Sequence, residues 1–210
     1  MTNSTTTLKK KNYLTYLFYL IGVIILSFGI TVTIVSNFGA GSWDALNVGL
    51  SNTIGLSVGN WVILVGILLL IASSIIERKA LKITSLLTSF IIGIFIDIWM
   101  IVLNSVTTDT YLLKFILFIA GIIITSFGLS LIIFAKLPPG PIDYFALAIK
   151  DRFNLSIGQA KTIGEGIGLI LAIIFRGPVG LGTLLTMFII GPCIQFFNNL
   201  IHPILLKISK

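Results

Sequence analysis

Four acidic side chains lie within or beside long apolar stretches of this chain of 210 residues: Asp44, Asp97, Asp143 and Glu165. The other three of its seven acids fall in polar loops, where water solvates them. An ionised carboxylate at membrane depth costs several kcal/mol, so such a group usually faces a cavity or a partner. We therefore treat these four carboxylates as candidate substrate-binding or ion-binding groups.

Glu165 is the strongest of the four candidates. It falls about 12 Å beyond the predicted start of its helix, at a rise of about 1.5 Å per residue. Its neighbours Gly164 and Gly166 would let a ligand or another backbone come close. The alternative is a buried carboxyl that is hydrogen-bonded within the helix bundle.

Asp44 and Asp143 each end a turn rich in glycine or proline, at residues 38–44 and 137–143. An acid in the first turn of a helix is also favoured by the helix dipole, so both residues have a structural alternative. Free N–H groups in these turns would attract an anion, but an acid beside them favours cations, protons or zwitterions. The residues expected to shape the turns are Gly39, Gly41, Pro138, Pro139, Gly140 and Pro141.

Three further residues are weaker candidates. Trp43 adjoins Asp44, and it either anchors a short helix in the membrane interface or covers a ligand cation. Asp97 aligns with Gln195 when the two halves of the chain are compared, so both halves place a polar residue near the end of a span.

The composition is that of an integral membrane protein. Hydrophobic residues make up 56% of the chain and charged residues 10%, with a mean hydropathy of +1.10. Six windows approach or exceed the length of about 20 apolar residues that crosses a bilayer. They cover residues 13–35, 58–76, 83–103, 111–135, 157–175 and 181–206. The net charge of +7 comes from short loops, so no nucleic-acid partner is expected.

An internal repeat becomes visible when the chain is shifted by about 99 positions. Residues 27–29 then align with 126–128, and Ser57 to Asn60 align with Ser156 to Gln159. With one deletion, residues 86–93 align with 184–191. The repeat predicts a polar basic tail at residues 1–12 and two three-span units, residues 13–104 and 111–210, in one membrane domain.

Each unit also contains a segment too short to cross the membrane, at residues 42–52 and 141–153. Eleven helical residues reach about 16 Å, so these helices either dip halfway into the membrane or lie at its interface. Ser42 is the expected N-cap of the first, and Pro141 fits the first turn of the second. Ser156 and Gln159 have the spacing of a capping box at the start of the fifth span.

The lysines and arginines predict the orientation of the spans. With both termini in the cytoplasm, twelve of the fourteen basic residues lie on the inner side, as the positive-inside rule requires. This arrangement needs three crossings in each half. The fold class is therefore an all-α polytopic membrane protein with six transmembrane helices in a 3+3 inverted repeat, a pattern typical of secondary transporters.

The sequence resembles the YczE family of bacterial integral membrane proteins, which is related to the YitT group. Four motifs carry the resemblance: Gly39-Ala40-Gly41-Ser42-Trp43-Asp44-Ala45-Leu46, Leu137-Pro138-Pro139-Gly140-Pro141-Ile142-Asp143, Ser156-Ile157-Gly158-Gln159 and Gly180-Leu181-Gly182-Thr183-Leu184. The resemblance implies a location in the bacterial plasma membrane and a transport role. It supplies neither a substrate nor catalytic residues.

We interpret the chain as a small secondary transporter or permease whose binding site lies between the repeats. The alternative is a non-transporting scaffold or accessory subunit of a membrane enzyme or transport complex. No catalytic motif, metal-ligand spacing or nucleotide-binding loop occurs, so neither enzyme activity, nor a metal, nor a cofactor is expected. The expected partners are the lipid bilayer and a small molecule or ion, and a homo-oligomer or a membrane partner stays open.

Overall fold

The computed structural model is all-α in the residues it describes, 2–81, 83–137 and 140–208. It contains eight helices: α1 (Thr2–Val35), α2 (Ser42–Ile54), α3 (Val58–Glu77), α4 (Thr84–Val102), α5 (Tyr111–Ala135), α6 (Pro141–Phe153), α7 (Ile157–Ile174) and α8 (Leu181–Ile208). The predicted turn residues Pro138 and Pro139 lie outside the described residues. The backbone of α1 is helical from Thr2 onward, so residues 2–12 of the predicted tail form the beginning of the first helix.

Six of these helices are long and apolar enough to cross a membrane. They cover Tyr13–Val35, Val58–Glu77, Thr84–Val102, Tyr111–Ala135, Ile157–Ile174 and Leu181–Pro203, and each lies within a few residues of a predicted span. The prediction of six apolar helices is confirmed. The 3+3 inverted repeat stays a prediction.

The helices turn small polar side chains inward and large apolar ones outward. Ser27, Thr31, Ser73, Ser126 and Thr183 are fully buried. Large exposed hydrophobic side chains include Ile75, Ile101 and Phe188. Membrane bundles show this distribution because lipid solvates apolar side chains, whereas small residues allow helices to pack closely.

The most extensive helix pair in the bundle is that of α1 and α5, and glycines allow its close approach. A Cβ atom added at Gly29 would lie 2.9 Å from Thr125 Cα, and one at Gly128 would lie 2.8 Å from the Gly22 carbonyl oxygen. Gly29 and Gly128 end the two aligned Ser-Phe-Gly triplets. The triplets therefore mark the crossing of α1 and α5.

The short helices α2 and α6 lie end to end along α7. Trp43 of α2 rests on Gly168, and Gly49 meets the Phe175 carbonyl further along the same helix. The N-terminal turn of α6 lies beside Lys161 and Gly164, and α6 runs from there back towards the start of α7. The two N-termini thus meet near the middle of a span.

This arrangement decides between the two predicted positions of the short helices. Gly168 lies about 16 Å from the start of α7, and Gly66, which touches Pro141, lies about 12 Å from the start of α3. Both first turns are therefore deep in the bundle, and a position flat in the membrane interface is wrong. The predicted N-cap is also corrected by one residue, since Gly41 occupies that position and Ser42 begins the helix.

We expect Gly128→Ala to destabilise the protein by about 1–3 kcal/mol, because the added methyl group forces α1 and α5 apart. Gly166→Ala is the matched control, since a Cβ there has no neighbour within 4 Å and alanine favours a helix interior. Unfolding in mixed detergent micelles measures both changes in the free energy of unfolding. Equal values for the two variants would contradict the close contact.

Candidate functional site

A cavity of about 30 Å³ lies where the first turns of α2 and α6 meet α7. Its volume exceeds the roughly 10–15 Å³ that one water molecule needs. The residues that line it are Trp43, Ile142, Asp143, Ala146, Lys161, Gly164 and Glu165. Three predicted candidates, Trp43, Asp143 and Glu165, are therefore brought together.

Glu165 is half-buried in the wall that α7 contributes. The glycines beside it leave space, because a Cβ at Gly164 would meet only Phe145 at 3.9 Å and one at Gly166 would meet nothing within 4 Å. The buried Ser42 Oγ, on the first turn of α2, has no hydrogen-bond partner among the described residues.

Asp143 forms an ion pair at the rim of the cavity. Lys161 Nζ lies 3.0 Å from Asp143 Oδ1, and the two side chains are 53% and 40% exposed. Such exposed pairs contribute only about 0.2–1 kcal/mol to stability, so a ligand can displace one easily. The Asp143 carboxylate is engaged in this ion pair, and the N-cap of α6, Gly140, provides no side-chain capping hydrogen bond.

Trp43 is buried in the bundle, with 5% of its surface exposed. Its ring packs edge-on against Phe145 of α6, with ring centroids 6.2 Å apart. The indole Nε1 has no hydrogen-bond partner among the described residues. The interpretation of Trp43 as an interfacial anchor is wrong, because the residue lines the cavity instead.

Asp44 lies on the same helical turn as Trp43 but is not among the lining residues. Its carboxylate folds over Gly41, where an added Cβ would lie 2.9 Å from Oδ2. The Asp44 side chain is half-buried.

Asp97 and Gln195 lie away from the cavity. Asp97 Oδ1 accepts the Gly59 backbone N–H at 2.7 Å, and Oδ2 accepts the Ser57 hydroxyl at 2.5 Å. Asp97 therefore ties α4 to the start of α3. Gln195 is exposed on α8. Among the described residues no group of three or more potential ligand side chains is placed to hold a metal ion.

Comparison with known proteins identifies the family. Residues 13–199 match the family of unknown function DUF6198. The chain belongs to this family. Two similar proteins come from Bacillus subtilis. The uncharacterized protein YyaS is 40% identical over 89% of this chain and 94% of its own length, and the uncharacterized membrane protein YczE is 32% identical over 90% and 87%.

The similarity extends beyond Bacillus. An uncharacterized protein of Haemophilus influenzae is 28% identical over 93% of this DUF6198 chain and 88% of its own length. No solved structure matches the chain. The resemblance to YczE predicted from the four motifs is confirmed, and the chain is a multi-pass membrane protein.

Lys161 is the charged site residue of this DUF6198 protein that the sequence did not single out. It entered the prediction only as one of the twelve basic residues on the inner side of the membrane. Its spacing of four residues from Glu165 places both side chains on one face of α7 and was the available signal. The partner, Asp143, lies on another helix, so the pair itself was not visible in the sequence.

We expect Asp97→Ala to lower the free energy of unfolding by about 1.5–3 kcal/mol, because the Gly59 N–H and the Ser57 hydroxyl lose a charged acceptor. Asp109→Ala, at an exposed acid, should change it by less than about 0.5 kcal/mol. Unfolding in mixed micelles measures both. A fully stable Asp97→Ala protein would contradict a structural role for Asp97.

Proposed function

We propose that the protein is a small secondary transporter whose binding site is the cavity beside Glu165. The observation that carries this proposal is the contact between Trp43 and Phe145, by which the first turns of α2 and α6 meet in the middle of the bundle. In secondary transporters, interrupted helices present their N-termini to a substrate near the midplane of the membrane. Trp43 of α2 and Ile142 and Asp143 of α6 line the cavity here.

The packing of the two halves supports an inverted repeat. The first-half short helix α2 packs on the second-half span α7, and α6 packs on α3. The helices α3 and α7 also begin alike, since Ser57 and Ser156 each accept a hydrogen bond from the backbone N–H three residues later. We propose on these grounds that the halves insert with opposite orientation in the bacterial plasma membrane, with both termini cytoplasmic.

The cavity contains both hydrogen-bond donors and acceptors. Neither α2 nor α6 has a side-chain cap, so no capping side chain occupies the first-turn N–H groups, and the indole N–H of Trp43, which lines the cavity, has no hydrogen-bond partner among the described residues. Glu165 and Asp143 supply negative charge, which Lys161 balances in part. This combination favours a small cation or a zwitterion, with protons as the coupling ion, over a simple anion.

We expect Glu165→Gln to reduce transport at least tenfold, because the amide keeps the shape of the side chain but loses its charge and its titration. Purified protein in liposomes, with a trapped pH-sensitive dye, is exposed to inorganic cations, amines and amino acids. Proton movement coupled to one of these compounds is the signal.

The matched control is Asp109→Asn, which removes an exposed carboxylate far from the cavity and should leave flux unchanged. Wild-type flux in Glu165→Gln would remove Glu165 from the mechanism. Absence of flux above protein-free liposomes for every compound would contradict the transporter. Co-purification of one stoichiometric membrane partner together with absent flux would favour the accessory-subunit alternative.

A further inference from the structure

The two halves of the bundle differ in one helix contact. In the described part of the chain, α4 packs along both α1 and α3. Its counterpart α8 packs along α5 but has no comparable contact with α7. A gap therefore lies beside α7 where the repeat predicts a helix interface.

The α3–α4 contact is closed by two glycines and one carboxylate. A Cβ added at Gly93 would lie 2.5 Å from the Gly59 carbonyl oxygen, so the two backbones touch. Asp97 then accepts the hydrogen bonds from Ser57 and from the Gly59 N–H. We refer to Ser57, Gly59, Gly93 and Asp97 as the α3–α4 clasp.

The second half contains the counterparts of this clasp, but they are apart. Gly158 and Gly191 align with Gly59 and Gly93, and a Cβ at either position would meet nothing within 4 Å. Gln195 aligns with Asp97 and is exposed. The Ser156 hydroxyl donates instead to Gln159 Oε1, at 3.0 Å.

Next to this gap, the start of α8 is fixed and its later part can move. The linker before α8 is held against the bundle, because a Cβ added at Gly180 would lie 2.6 Å from the Phe38 carbonyl oxygen and the Gly182 N–H donates to that oxygen at 3.0 Å. Pro192 lies inside α8, where it removes one backbone hydrogen bond and favours a bend. The missing bond is the one to the carbonyl of residue 188, so α8 can bend within the turn 188–192 and move Gly191 and Gln195 while the start of α8 stays packed.

We propose that α8 closes onto α7 in a second conformation, with Gly191 against Gly158 and the Gln195 side chain accepting the Gly158 N–H. This inference rests on the proposed function, because closure would cover the rim of the cavity at Lys161, one helical turn beyond Gly158. A neutral amide forms weaker hydrogen bonds than a carboxylate. The α7–α8 contact is therefore reversible, whereas the charged α3–α4 clasp stays closed.

A disulfide test detects closure directly. Ser156→Cys and Gln195→Cys are combined with Cys193→Ala, so that only the introduced pair can react, and membranes are treated with a mild oxidant. The aligned pair, Ser57 and Asp97, is in hydrogen-bond contact, so we expect crosslinking at least tenfold above that of a control pair. The control combines Ile173→Cys with Gln195→Cys, because residue 173 lies about 25 Å further along α7.

A second variant keeps the test decisive. The side chain introduced by Gly191→Leu would project into open space in this structure but would block the closed contact. We therefore expect this substitution to preserve thermal stability and to reduce crosslinking of the Ser156/Gln195 pair at least tenfold. Crosslinking no greater than the control in stably folded protein would overturn the inference. Unchanged flux after complete crosslinking would also overturn the inference, because closure would then not cover the cavity. Efficient crosslinking in a protein without any flux would support closure while contradicting the proposed transport.

Discussion

Two helix N-termini in the middle of an apolar bundle impose the constraint on which the rest of this structure depends. The first N–H groups of a helix have no partner within the helix, and lipid offers them none. The spans that cap their first turns with a side chain do so with Ser57, Thr110 and Ser156, but α2 and α6 have no such cap. Polar and charged groups must therefore gather around both starts.

The cavity is the consequence of this constraint. Asp143 and Glu165 bring negative charge to the positive ends of two helix dipoles. Lys161 forms an ion pair with Asp143. Glycines allow the short helices to approach the spans closely, because Gly66 leaves space for Pro141 and Gly168 leaves space for the ring of Trp43. The spans α3 and α7 hold the short helices in place, because each of them packs against both α2 and α6.

Much of this architecture could be predicted from the sequence. The six spans follow from uninterrupted apolar runs, and the starts of α3 and α7 follow from local capping patterns, which depend on neighbours a few residues away. The glycine-rich turn before α2 suits its local backbone, because Gly39 has a φ of 123°, which glycine adopts readily. These features require no knowledge of distant contacts.

The site was only partly predictable, because its decisive contacts join residues far apart in sequence. Trp43 beside a turn is compatible with the interface or the interior, and only the packing of α2 on α7 places it inside. The role of Asp97 depends on the contact between α3 and α4, and that of Lys161 on the approach of α6. The difference between the α3–α4 and α7–α8 contacts is likewise invisible in two aligned sequences.

The central claim, that the short helices meet inside the bundle, is tested most directly by the environment of Trp43. The chain has three tryptophans, so Trp61→Phe combined with Trp99→Phe leaves Trp43 as the only one. Its fluorescence is measured in lipids brominated at successive depths and with an aqueous quencher. The structure predicts weak quenching in every case, because protein surrounds the ring. Strong quenching by bromines close to the lipid headgroups would place α2 in the interface and contradict the claim.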